Sequence, residues 1–353
     1  MWTGVRVPFS PAAALRAPYP SDLMKTKALF GFSPDLPPFA GKGAVEQVTW
    51  LRGVGCTAVF GGYEDPDFVA AAHAAGMSLY AEFGCFVGQR WWEQIPESRP
   101  ITAVGTPLEP EGWYCGVHPS IPDVRQERLA ALEKLLSAYE LDGVWLDFIR
   151  WPCHWEVPEP TLPRTSFDSF TLTAFCQDTG INIPTADPAA AARLLLSTHE
   201  AEWTAWRCAQ ITSWVADARA ALRRVRPQAL LGLFGVPWRL ADHGGAILSI
   251  IGQDYRALGE QVDVFSPMVY HRMCGYPVEW IGDVAAEVRA LSGKPVWPII
   301  QSVDEPSTLS AAEYAQALDI VLRHPAADGV LVFTLRGALD EAKLSVTREQ
   351  LAA

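Results

Sequence analysis

Eight short apolar runs punctuate the chain, and most are followed by residues at helical spacing. They are Ala28 to Phe32, Ala58 to Phe60, Leu79 to Phe83, the stretch "LDGVWLDFIRWP" (Leu141 to Pro152), Leu230 to Phe234, Val264 to Tyr270, Val296 to Ile300 and Gly329 to Leu335. Helical patterns near Val45 to Arg52, Phe68 to Ala75 and Val124 to Tyr139 alternate with them. Parallel strands need a crossover, usually a helix, so this alternation calls for a parallel sheet. Eight such units in 353 residues point to an α/β chain folded as a single (β/α)8 TIM barrel. A doubly wound sheet is the alternative, but no Gly-rich phosphate loop follows the first run.

Two insertions interrupt the pattern. Gly84 to Asp123 separates strand three from its helix, and Cys153 to Gln228 follows strand four with a Pro-rich loop and then one long helix, about Pro188 to Val225. In that helix Trp203, Trp206, Ile211 and Trp214 recur near helical spacing and should pack inward. Both insertions leave the C-terminal ends of strands, where barrel enzymes build their sites. Residues 1–24 read as a disordered or mis-started tail, with Met24 as an alternative start; residues 25–353 form the barrel.

Several function classes are excluded. The net charge is −12 and no Lys/Arg stripe forms, so no nucleic-acid partner is expected. No apolar run approaches the roughly 20 residues of a membrane span, so no membrane partner is expected either. No signal-peptide pattern is visible, which makes the cytoplasm the default location. The seven cysteines are widely spaced without a CxxC, so neither a zinc knuckle nor a disulfide framework is suggested. "HWE", His154 to Glu156, has the HxE of zinc deaminases but lacks the PCxxC that should follow. No metal and no cofactor is expected.

Strand four carries an acid. By a period of two, Val144, Leu146 and Phe148 should face the helices, while Trp145, Asp147 and Ile149 point into the barrel. Asp147 then stands near the C-terminal mouth, where a carboxylate is costly to bury unless paired and useful if it does chemistry. A structural ion pair with Arg150 is the alternative. Asp142, in a "DG" turn at the opposite end, reads as structural.

"YELDGVWLDFIRWP" resembles the strand-four signature of the glycoside-hydrolase-like barrel families, close to y-x-v-D-G-I-h-x-D-Y-I-R-y-P. "HPSIPDVRQERLAALEKLL", "SFDSFTLTAFCQDTGINIP", "FGVPWR", "VDVFSPMVYHRM" and "KPVWPIIQSVDEP" extend the resemblance from about Lys25 to the C-terminus. Chitinase-type barrels are more distantly similar. Their strand four reads D-G-x-D-x-D-x-E; here Asp142, Gly143 and Asp147 remain, while Trp145 and Ile149 replace the middle Asp and the acid Glu. The resemblance implies a glycoside hydrolase acting on an oligo- or polysaccharide, with its proton donor on another strand.

Such chemistry usually takes two carboxyl groups. Glu82, in "LYAEFG" on the neighbouring strand, is the nearest partner for Asp147, and Asp304, after strand seven, can reach across the mouth. Asp147 is then nucleophile or transition-state stabiliser, and Glu82 or Asp304 the general acid/base. Arg150, Tyr270, His271 and Gln301 end strands and can hold hydroxyls. Among fourteen tryptophans, Trp91, Trp92, Trp151, Trp155 and Trp238 fall in or beside mouth loops, where flat rings stack on sugar C–H faces. The expected partner is a carbohydrate. A carbohydrate-binding barrel without catalysis, or a barrel lyase or isomerase, is the competing reading.

Overall fold

A computed structural model of the protein describes residues 25–352; the tail expected over residues 1–24 lies outside them. Eight strands, β1 (Thr26–Phe30), β2 (Ala58–Phe60), β3 (Ser78–Gly84), β4 (Gly143–Asp147), β5 (Leu230–Gly235), β6 (Val264–Val269), β7 (Ile299–Gln301) and β8 (Gly329–Phe333), pair in chain order, each parallel to the next. Pairing of β1 with β8 closes the (β/α)8 barrel. Among the described residues no helix is long and apolar enough to cross a membrane.

The strand ends differ from the apolar runs for local reasons. β7 was expected over Val296 to Ile300, yet the strand is Ile299–Gln301 and Val296 keeps only an isolated bridge to Phe265. Pro298 between them has no N–H to donate to a ladder. β8 stops at Phe333 because Thr334 caps a short helix, Leu335–Ala338, by accepting from the Gly337 N–H. The second insertion holds three helices rather than one. Ser169–Thr179 is capped by Asp168 and ends at Gly180, at φ +75°. Pro188–Thr198 is capped by Asp187 and separated at His199 from Glu200–Val225. Trp203, Trp206, Ile211 and Trp214 are all buried.

Aromatic rings fill the barrel. The Trp145 indole stacks on Trp297 at 5.4 Å, packs against Tyr80 and Phe60, and donates to the Ser266 hydroxyl at 2.9 Å. Phe30 lies among Phe60, Phe234 and Phe333 at 5.4 to 5.9 Å. Two indoles fit inside eight strands because small residues face them. A Cβ on Gly232 would stand 2.1 Å from the Trp145 ring, and one on Gly329 2.8 Å from Trp297. The inward phase expected of β4 is observed: Trp145 belongs to this plug, and Asp147, two residues on, rises above it.

Gly232→Ala therefore forces a methyl into a filled barrel and should cost about 1–3 kcal/mol, read as a fall in Tm by calorimetry. Gly53→Ala, at the end of the helix Ala44–Gly53 with nothing within 4 Å of the new Cβ, should leave Tm unchanged or raise it.

Candidate active site

Above the plug, at the C-terminal ends of the strands, lies a hollow of about 220 Å³. Phe30, Phe234 and Phe333 form its floor, and Met268, Tyr270, Ile299 and Phe148 its walls; Trp113 stands at its rim. Among the described residues, the carboxyl groups that line it are Glu82, Asp147 and Glu156.

The β3–β4 register brings the first two together. Gly84 pairs with Asp147, so Glu82 sits one inward step below it on the adjacent strand. The two carboxyl groups share a hydrogen bond. The Glu82 side chain is open to the hollow, yet protein atoms crowd it from every other side. That crowding, together with the adjacent Asp147 charge, pushes its pKa up to about 8. Burial also raises Asp147, while Arg150 and the Phe148 N–H, which donates to Asp147 Oδ1 at 2.6 Å, pull it back. Of the pair, Glu82 is thus the better holder of the shared proton.

Arg150 flanks Asp147 just past the end of β4. It is buried, with Nη1 3.9 Å from Asp147 Oδ1, and its guanidinium sits over the rings of Phe148 (4.8 Å) and Tyr114 (5.4 Å). Burial works against its charge, but Tyr114, Glu156 and Asp147 more than offset that, and its pKa is raised. Its Nε and Nη2 have no hydrogen-bond partner among the described residues. The ion pair weighed as a structural alternative for Asp147 therefore exists, and it coexists with the Glu82 hydrogen bond rather than replacing it. Phe148, expected to face the helices, lines the hollow instead. It takes φ +51°, an uncommon conformation for a bulky residue, and this bend turns its ring toward the site as β4 ends.

The other expected site residues are placed as follows. Tyr270 lines the hollow, stacked between Phe333 (4.9 Å) and Trp155 (5.8 Å). Burial and the three nearby carboxylates hold its hydroxyl well above the usual tyrosine range. Asp304 does not reach across the mouth. It is half-exposed, accepts from Lys343 Nζ at 2.7 Å and the Leu309 N–H at 2.9 Å, and its pKa is lowered by the Lys343 bond first. His271 is buried against Glu313 at 3.0 Å. Gln301 spends its amide on Met273, Val303 and Glu305 backbone groups. Trp91 packs under Arg90 and Arg128. Trp151 donates to the Arg207 carbonyl at 3.0 Å, and Trp238 lies on His243 at 4.6 Å. None of these last five lines the hollow, and all are buried.

Of the lining residues not singled out from the sequence, Trp113 and Glu156 carry the chemistry that matters most here. Trp113 is 65% exposed at the tip of a tight turn in which Glu111 and Tyr114 exchange backbone hydrogen bonds; its ring stands edge-on to Phe148 at 6.0 Å. Glu156 belongs to "HWE", which carried no signal once the zinc motif was set aside. A larger open depression of about 550 Å³, beside Ala103 and the helix Pro188–Thr198, is lined by Ala192, Arg193, Leu196 and Ser197 and brings no catalytic groups together. Among the described residues no group of three or more His, Cys, Asp or Glu side chains is placed to hold a metal.

The chain folds as a (β/α)8 TIM barrel, and solved structures similar to it in fold include glycoside hydrolases. Among solved structures, the chain is similar to the PgaB (BpsB) glycoside hydrolase domain from Bordetella bronchiseptica. The TM-score is 0.69 at 13% identity, covering 93% of this chain and 99% of that one. It is also similar to β-galactosidases from the psychrophilic Marinomonas ef1 (TM-score 0.67, 10% identity, 92% of this chain) and from Halorubrum lacusprofundi (0.65, 11%, 92%). The chain spans 59% and 57% of those two enzymes. No protein-family model and no curated protein sequence matches it.

The raised Glu82 pKa predicts a stability trend. A glutamate ionises near 4.5 in the unfolded chain, while folded Glu82 keeps its proton to about pH 8. The unfolded state therefore releases this proton first, and folding is progressively disfavoured as pH rises from about 4.5 to about 8. Glu82→Gln should remove that contribution, so its Tm should gain on wild type steadily across this window and level off above it.

Proposed function

We propose that the protein is a glycoside hydrolase acting on an oligo- or polysaccharide. The observation that carries this reading is the proton-sharing Glu82–Asp147 pair, open to an aromatic-floored hollow at the C-terminal mouth of the barrel. Glu82, protonated up to about pH 8, is the general acid that delivers a proton to the leaving glycosidic oxygen. Asp147, held beside Arg150 and the Phe148 N–H, is the charged partner that stabilises positive charge developing at the anomeric carbon.

The hollow also suits a sugar. At about 220 Å³ it falls below the roughly 300 Å³ lower bound of drug-sized pockets, which favours a single enclosed ring. Trp113 offers a flat face where a second ring would emerge. A lyase or isomerase acting on a small acid would want exposed cations in the site. Arg150, beside Asp147, is buried and does not line the hollow, and the lining charges are carboxylates, which favours a neutral glycan. The glycoside hydrolase names of the similar structures agree with this reading.

The test is a panel of 4-nitrophenyl glycosides and polysaccharides. On whichever is cleaved, Glu82→Gln and Asp147→Asn should each lower kcat/KM by about 10²–10⁴-fold, while ligand affinity by calorimetry is retained. Activity of the wild type should fall as pH rises through about 8, as Glu82 loses its proton. Trp113→Ala should raise KM severalfold with kcat kept. Glycan binding without turnover anywhere on the panel would instead support the non-catalytic binding barrel.

A further inference from the structure

Glycoside hydrolysis sets its two carboxyl groups apart, about 5 Å for retention and roughly 6.5–9.5 Å for inversion. Glu82 and Asp147 are hydrogen-bonded neighbours on paired strands and act as one unit. A third carboxylate lines the same hollow. Glu156 sits on the loop that follows β4, and that loop is firmly held. The Trp155 ring stacks on Tyr270 at 5.8 Å and 20°, and the Cys153 N–H donates to the Tyr114 hydroxyl at 3.2 Å. Pro158 packs so close to Gly275 that a Cβ there would meet it at 2.9 Å.

Glu156 Oε2 is buried, and among the described residues no donor reaches it; His154 Nε2 stands 3.8 Å away, beyond hydrogen-bond distance. Buried polar atoms are nearly always satisfied, so an unpaired oxygen on a residue that lines the hollow calls for a donor from ligand or water. The charge of Glu156 acts on Asp147 and Tyr270, whereas the charge acting on Glu82 is that of Asp147. Glu82 reaches the hollow from β3, and Glu156 reaches it from the loop after β4.

Resting on the hydrolase reading above, we propose that Glu156 is the opposing catalytic carboxylate, the general base that activates water across the sugar from the Glu82–Asp147 pair. Glu156 takes a proton from water, the water oxygen bonds to the anomeric carbon, the glycosidic C–O bond breaks, and Glu82 gives its proton to the departing oxygen. The products are a reducing sugar of inverted configuration and an alcohol. Glu156 then returns its proton, and Glu82 regains one, through solvent.

The first measurement needs no variant: ¹H NMR of the first-formed product on the 4-nitrophenyl glycoside cleaved fastest should show inversion, and retention would overturn the assignment. On the same substrate Glu156→Gln should lose about 10²–10⁴-fold in kcat with KM within a few fold and Tm unchanged. Azide should restore turnover to Glu156→Ala and yield the inverted glycosyl azide. If Glu82→Gln is inactive while Glu156→Gln stays within threefold of wild type, Glu156 is not the base and the hydrolase reading stands. If the wild type cleaves nothing on the panel, both fall.

Discussion

One shared proton organises the mouth of this barrel. Two carboxyl groups on adjacent strands cannot both be charged at hydrogen-bond distance without a large penalty, so one must hold a proton. The surroundings decide which. Asp147 has Arg150 and a backbone N–H on its side, and Glu82 has neither. The asymmetry leaves an acid and a carboxylate side by side near neutral pH. The buried arginine belongs to the same arrangement. It has few hydrogen bonds of its own, and the negative charge around it is what makes its burial tolerable.

The pair could not be presented in this way without the plug beneath it. Trp145 and Asp147 occupy successive inward positions of β4, so the indole that fills the barrel also sets the height of the carboxylate. Gly232 and Gly329 give up their side chains to the two indoles, and Phe30, Phe234 and Phe333 close the layer above. The result is an aromatic floor near the acids, and low local polarity strengthens each electrostatic interaction made there. Stability and chemistry thus share one stack of residues, and the single strand β4 contributes to both layers.

Much of this was legible from residue patterns, because period two is strict once a strand is recognised. The eight apolar runs located all eight strands, and the phase of β4 put Trp145 inward and Asp147 above it. The adjacency of strands three and four singled out Glu82 as the nearest partner. Where the pattern failed, the cause was local backbone chemistry or a distant partner. Pro298 shortened β7, and the positive φ of Phe148 reversed a side chain that alternation sends outward. Asp304 is tied to Lys343, 39 residues further on, which no spacing rule reveals.

The tryptophans show why loops resist such reading. A tryptophan in a mouth insertion can rim a site or hold the insertion together, and composition does not separate the two. Here the insertions are long enough to have cores of their own, so Trp91, Trp151 and Trp155 are consumed in packing them. Trp113 stays exposed at the tip of the Glu111–Tyr114 turn. The same folding back of the second insertion carries Glu156 to the hollow: Trp155 is driven onto Tyr270 by its apolar surface, and the next residue is thereby fixed at the wall. An acid placed by a neighbour's burial leaves no periodic trace. The barrel strands set where chemistry can occur, and the packing of loop aromatics decides which loop carboxylate attends it.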